Sequence, residues 1–473
     1  MTHPVTVQPG PSHRASEPPL IAPAPLPRMR LRASAATIRK SLRASIQDGL
    51  AWAVMQGAGT SYVLPYIILK GSGLYQLAAF SGLPSLATGL VQWYGAHLTD
   101  RLGHRNHVII SSAFLQALTW VVFAGAIFLP FSVGYWIVLA AFVAHVALGA
   151  FLLPAWQSLM GDLVPPDRRG RYFGLRNSLC GAVQMSAFFI AGWWLAFSED
   201  TEALAVLGLS SRSFGFFVLF AIAGGARLLS TWFLTRVHEP TYERQPSDRF
   251  TLLEFIRRAP RAHFGRFVIY CALIHFAFGL NGPYLAWYLL DQLKFSMGAF
   301  AAIITAGLVA GVLSQPLWGR LSDRIGSKRV LAIGGYAIVF TPLVMLPCSS
   351  FWHFLVALAY DGIAGAAFAI AVGNYFFDVV TPAKRARCVA YNTLFLAVGG
   401  LVGAFAGAVI ATAPPIPVVA GHVTIGHPFA LLLISSAFVR LLAGLLLLST
   451  FDEFRLRRPT FAPANAPADA ESG

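Results

Sequence analysis

The stretch "LWGRLSDRIGSKRV" at residues 317–330 has an earlier counterpart, "WYGAHLTDRLGHRNHV", at 93–108. Both contain Leu-x-Asp-Arg-x-Gly, and Asp100 aligns with Asp323 at an offset of 223 residues. Each copy is a short basic turn that follows a long apolar run. The echo continues elsewhere. "HVALGAFLLPAWQSLMGDLVPPDRRGR" (145–171) aligns without gaps to "DGIAGAAFAIAVGNYFFDVVTPAKRAR" (361–387), an offset of 216, which puts Asp162 on Asp378. "ARLLSTWFL" and "VRLLAGLLL" align at an offset of 213, with Arg227 on Arg440. Offsets that fall steadily along the chain indicate one duplicated unit whose second copy has shorter loops.

The composition says which solvent that unit lives in. Of 473 residues, 56% are hydrophobic and 12% charged, with a mean hydropathy of +0.63. A soluble chain carries about 25% charged residues, so the solvent here is lipid. Crossing a bilayer takes about 20 apolar residues, and that window predicts twelve spans, the first at 46–69 and the last at 427–450. The chain thus reads as an all-α integral membrane protein with twelve transmembrane helices. Its expected parts are a disordered basic tail (1–45), a first six-span half (46–236), a linker (237–265), a second half (266–451) and a disordered tail (452–473).

Charge placement sets the orientation. With both termini cytoplasmic, the cytoplasmic tails and loops hold thirty of the 35 Lys and Arg, and the opposite side holds Lys70, Arg212 and Lys294. That asymmetry is the topology signal of a membrane protein. It accounts for the net charge of +15 without a nucleic-acid partner. The expected location is the plasma membrane, the inner membrane of a bacterium. Four well-separated cysteines suggest neither a disulfide framework nor a metal site.

Six spans per unit give both copies the same membrane orientation, a parallel repeat. Over residues 46–450 the sequence resembles the major facilitator superfamily, whose signature is Gly-x-Leu-[small]-Asp-Arg-x-Gly-[basic]-[basic] after the second span of each half. The second copy fits best, with Gly319, Leu321, Asp323, Arg324, Gly326, Lys328 and Arg329 in place. The first departs, with Ala96 in the first glycine position and His104 in a basic one. The resemblance implies two six-helix bundles, transport of a small-molecule substrate by alternating access, and a monomer embedded in the bilayer. It further implies a conformational latch, with Arg101 or Arg105 pairing with Asp162 beside Asp100, and Arg324 or Arg329 pairing with Asp378 beside Asp323. Gly319 would let a neighbouring helix approach closely. A drug or lipid exporter of the same fold is an alternative. A membrane-embedded enzyme and a transporter-like sensor are alternatives of another class.

No phosphate-binding loop, Gly-x-Ser-x-Gly or His-Glu-x-x-His motif occurs, so an enzyme is not expected and no cofactor is implied. By the same resemblance spans 1, 4, 7 and 10 face the substrate. Gln56 and Thr60 lie one turn apart in span 1, on the face of Trp52. His275, Asn281 and Tyr284 lie in span 7, and Tyr360 and Asp361 in span 10. His145 aligns with Asp361, each about eleven residues from its span's outer end and hence near mid-membrane. An ionisable group at that depth is a functional candidate by default. Asp361 and His145 are therefore the candidates for proton coupling, with His275 as a further relay.

Overall fold

The computed structural model describes residues 34–102, 105–165, 168–199, 211–240, 252–380, 382–412, 419–420, 423–424 and 428–451. The tails 1–33 and 452–473, the middle of the linker, and the side chains of Asp100, Arg101 and Asp378 lie outside the described set.

The described chain is helical almost throughout. Its first span is built in three pieces, α1 (Ala35–Val54), a π-helical segment (Met55–Thr60) and α2 (Ser61–Leu69). The first half continues with α3 (Leu74–Leu102), α4 (Arg105–Ala126), α5 (Phe131–Leu163), α6 (Arg169–Glu199) and α7 (Ser211–Leu234). A short α8 (Leu252–Arg258) occupies the linker. The second half comprises α9 (His263–Trp287) running into a π-helical segment (Tyr288–Gln292), then α10 (Met297–Ile325), α11 (Ser327–Met345), α12 (Phe351–Val379), α13 (Pro382–Thr412) and α14 (Pro428–Leu447). Between α13 and α14, β1 (Val419–Ala420) and β2 (Val423–Thr424) form a minimal antiparallel pair.

Eleven of these helices are long and apolar enough to cross a membrane. The predicted first span is not among them because a basic start and a π segment divide its apolar run. Its start also differs from expectation. Ser34 Oγ accepts from the Thr37 amide at 3.2 Å and caps α1, so residues 35–45 are helix continuous with the span and not tail. The linker holds the short helix α8. Pro65 and Pro283 sit in the spans that carry the π segments, but one π turn precedes its proline and the other follows it.

His238 N donates to Ser41 Oγ at 3.0 Å, and Arg266 Nη1 donates to the Thr450 carbonyl at 2.7 Å. Each half thus begins and ends on the same side, the terminal face. In the second half, α10 meets α11 through Gly326 alone, at φ +98°, a backbone state that side chains with a Cβ rarely adopt. That requirement explains the last glycine of the repeated turn.

Small residues bring the helices together, as expected where lipid supplies no hydrophobic drive between helices. On α13, Gly399, Gly403 and Gly407 face the Ala272, Phe276 and Leu280 carbonyls of α9. Gly82 and Gly89 of α3 lie against Leu401 and Leu394 of α13, joining the two halves. A second seam joins α6 to α10. Gly192 lies against the Ala301 side chain, the Met297 carbonyl and the Tyr62 hydroxyl. Eighteen residues make five helical turns, so Gly174 shares a face of α6 with Gly192, and Gly319 shares a face of α10 with Ala301. Among the described residues, nothing lies within 4 Å of a Cβ added at Gly174 or Gly319. This seam is closed far from the terminal face and open toward it. The close helix approach expected at Gly319 is therefore not made in this conformation.

Candidate functional site

Counting in fours along the first span gives Asp48, Trp52, Gln56 and Thr60, one stripe on one helical face. All four line a cavity of about 330 Å3, together with Gln116 of α4, His145 and Trp156 of α5, Arg176 of α6 and Arg227 of α7. The structure thus gathers Gln56, Thr60 and His145 around one space. It adds three charged residues that the sequence reading had not placed there.

His145 is buried, and its hydrogen bonds define its state. Gln116 Nε2 donates to the His145 carbonyl at 2.9 Å, which identifies the amino end of that amide, and it lies 3.4 Å from His145 Nε2. An amino group cannot accept, so His145 Nε2 is the acceptor. Thr119 Oγ1 donates to the Gln116 carbonyl at 2.6 Å and lies 2.9 Å from His145 Nδ1, which must therefore donate to it. The imidazole is neutral, protonated on Nδ1, with its Nε2 lone pair also 3.5 Å from Thr60 Oγ1.

The charged end of the cavity is built by a relay. Arg227 Nη1 donates to Ser230 Oγ at 2.8 Å, and Ser230 Oγ donates to Asp48 Oδ1 at 2.6 Å. Arg176 Nη2 lies 3.6 Å from Asp48 Oδ2, while its Nε donates to the Ser45 carbonyl at 3.1 Å. Its guanidinium lies 4.4 Å from the Trp156 ring centroid, a cation–π contact. Burying ions in hydrocarbon is expensive unless they are paired and hydrogen-bonded, and this geometry supplies both to Asp48.

The second half uses its polar residues differently. Asn281 Oδ1 accepts from Ser436 Oγ at 3.0 Å and from Arg440 Nη2 at 3.1 Å. Arg440 also donates to the Ile338 carbonyl at 2.7 Å, packs over the Phe278 ring and stands within electrostatic reach of Asp361. Asn281 and Asp361 are thus gathered around one arginine. Tyr284 donates to the Ala404 carbonyl at 2.5 Å, Tyr360 to the Ala337 carbonyl at 2.8 Å, and His275 Nδ1 lies 2.9 Å from the Cys271 carbonyl. Each of these three is engaged with backbone, not with the cavity of the first half.

At the first repeated turn, Arg105 Nη1 donates to Asp162 Oδ2 at 2.6 Å and to Ser158 Oγ at 3.0 Å. A further partner was not anticipated. Glu239, beyond α7, accepts from the Arg105 amide at 2.8 Å and from the Asn106 amide at 3.2 Å, and it lies 3.5 Å from Arg105 Nε. It caps α4 from the linker. At the second turn Asp323, Arg324 and Arg329 are exposed, and their expected partner Asp378 has its side chain outside the described set.

Known proteins resemble this chain along most of its length. The multidrug resistance efflux pump PmrA of Streptococcus pneumoniae is 24% identical over 380 residues, covering 76% of this chain and 86% of the relative. The multidrug resistance protein MdtG of Dickeya zeae is 26% identical over 373 residues, covering 74% and 84%. Among solved structures, a bacterial homologue of the human lysosomal transporter Spinster, inward-facing and occupied, superposes with a TM-score of 0.64 at 16% identity over 87% of this chain and 96% of that one. The nucleoside transporter NupG gives 0.60 at 13% identity over 88% and 100%. The family description "Major Facilitator Superfamily" matches residues 49–279 and 267–470. With the duplicated helical halves and their glycine seams, that match settles the family: the chain belongs to the major facilitator superfamily.

Proposed function

We propose that the protein is a proton-coupled secondary active transporter that moves a small organic solute by alternating access between two six-helix bundles. It works as a monomer in the bacterial inner membrane, with both termini and the linker cytoplasmic. The observation that carries this reading is the cavity of about 330 Å3, lined by Asp48, Arg176, Arg227 and neutral His145 on helices of one half. Its volume lies within the range of small-molecule sites, and its charges are costly in a membrane unless they serve a ligand or a coupling ion. The α6–α10 seam, closed at one end and open at the other, suits the cytoplasm-facing state of such a cycle. Arg105 with Asp162 and Glu239, and the exposed Asp323, Arg324 and Arg329, are the latch elements that we expect to rearrange.

Export is favoured over uptake because PmrA is named a multidrug resistance efflux pump and MdtG a multidrug resistance protein. The test is accumulation of a panel of labelled amphiphiles in cells expressing the chain, against cells expressing the Gln56→Leu, His145→Leu double variant. Lower accumulation with the wild-type chain, abolished by collapsing the proton gradient, is the expected result. Equal accumulation across the whole panel in both strains would sink the export reading.

A further inference from the structure

The charges around the cavity of the first half do not balance. Asp48 is the only carboxylate among the described residues that line it, while two guanidiniums, Arg176 and Arg227, line the same space. His145 is neutral by its hydrogen bonds. One positive charge is therefore in excess, inside the membrane-spanning part of the chain. In the second half the equivalent arginine, Arg440, stands opposite one carboxylate, Asp361. Duplication built both sites, and the one around the Asp48 cavity carries the surplus charge.

Unused donors point the same way. Arg227 is 2% exposed, and its Nε, like that of Arg440, has no hydrogen-bond partner among the described residues. Trp156 Nε1 is also buried without a partner. A buried donor left unsatisfied is costly, and a buried charge without a counter-ion more so. Both costs are relieved by an anion with at least two acceptor oxygens, while Gln56 Oε1 and Gln116 Oε1, acceptors without a partner among the described residues of the same lining, call for water or a donor beside it. The wall beyond it, with Trp52, Val146, Leu152 and Leu153, is apolar.

We infer that this cavity is a binding site for a small organic monoanion, a carboxylate on an apolar body. Its carboxylate lies between Arg227 and Arg176, and its body lies against Trp52 and Leu153. Asp48 sets the strength of the site by neutralising one of the two arginines. This rests on the transporter reading only in taking the cavity as a solute site.

The test is thermal unfolding of the purified full chain in detergent with hexanoate, benzoate, benzamide and benzylamine. A ligand that binds the folded state raises the unfolding temperature with its concentration. Hexanoate or benzoate should stabilise, and benzamide and benzylamine should not. Arg176→Gln and Arg227→Gln should each weaken the response at least about tenfold, as expected on losing a charge-assisted contact. Asp48→Asn should strengthen it, because the excess rises to two. The inference is overturned if no carboxylate stabilises, if benzylamine does so instead, or if the response survives both arginine changes. Should neither arginine variant fold, weaker carboxylate binding in Asp48→Asn overturns it alone. Flux of labelled benzoate into proteoliposomes separates the two readings. Binding without flux keeps the site and removes transport, whereas flux of another solute with no carboxylate response keeps transport and removes the anion site.

Discussion

Arg440 Nη2 donates to Asn281 Oδ1 at 3.1 Å, tying the last span of the chain to the first span of its half. The same guanidinium holds the Ile338 carbonyl of α11 and faces Asp361 of α12, so one buried side chain serves four helices. Asp361 offsets part of the charge of the buried Arg440, so removing either group leaves the other less compensated. Arg440→Gln and Asp361→Asn should each lower the unfolding temperature. The double variant should lose much less than the sum, because no lone charge remains. Additive losses in the double-mutant cycle would show that the two groups are not energetically coupled.

Asp361 is also the candidate coupling carboxylate, and stability separates the two roles. If it carries the proton, Asp361→Asn abolishes accumulation against a gradient while substrate exchange across proteoliposomes continues. If it serves only Arg440, the variant loses stability while the folded fraction transports at the wild-type rate and responds normally to a collapsed proton gradient.

The Arg105 cluster predicts a role for a residue outside the repeated turn. Glu239 satisfies two amides at the start of α4, groups that otherwise lack intrahelical partners. Loss of a capping side chain costs about 1 kcal/mol. Glu239→Ala should lower the melting temperature and speed amide exchange at residues 105–108, with Glu239→Gln intermediate. Unchanged exchange there would assign the contact no capping function.

How far the sequence revealed these sites depends on separation along the chain. The duplicated turn and the Lys and Arg asymmetry are local signals, and the helical architecture follows from them. Gln56 and Thr60 were legible from their four-residue spacing, and His145 from its alignment with Asp361. Asp48 is not, because an apolar run that starts at 46 places it at the membrane edge. With α1 starting at Ala35, it stands some 20 Å along the helix. In the sequence Arg227 stands out only by its alignment with Arg440, since the Ser230–Asp48 bond that anchors it spans 182 positions. Glu239 reaches Arg105 across 134 positions, and no periodicity encodes such a distance.

Orientation is open to direct test. If the thirty-to-three asymmetry sets topology, single cysteines placed in the 237–265 linker of intact cells stay unlabelled by an impermeant maleimide until the cells are permeabilised. Cysteines beside Lys70 or Lys294 label at once. Strong labelling of the linker in intact cells would reverse the orientation.

The α6–α10 seam makes the last prediction, because its two ends differ. Gly192 is enclosed by Ala301, the Met297 carbonyl and the Tyr62 hydroxyl, so a larger side chain cannot enter without separating the helices. Gly319 has open space beside it among the described residues, so the same change there leaves this conformation intact. If the halves rock about the seam, closing the terminal face must bring a neighbour against Gly319 while freeing Gly192. Gly192→Leu should then shift the population toward the conformer open away from the terminal face, and Gly319→Leu toward the one described here. Cysteines at Ala196 and Gly298, whose contact marks the closed end, report the balance. Their cross-linking should fall with Gly192→Leu and persist or rise with Gly319→Leu. Both variants should transport slowly, since each blocks one half of the cycle. Wild-type flux together with unchanged cross-linking in Gly319→Leu would mean that the terminal end of this seam never closes.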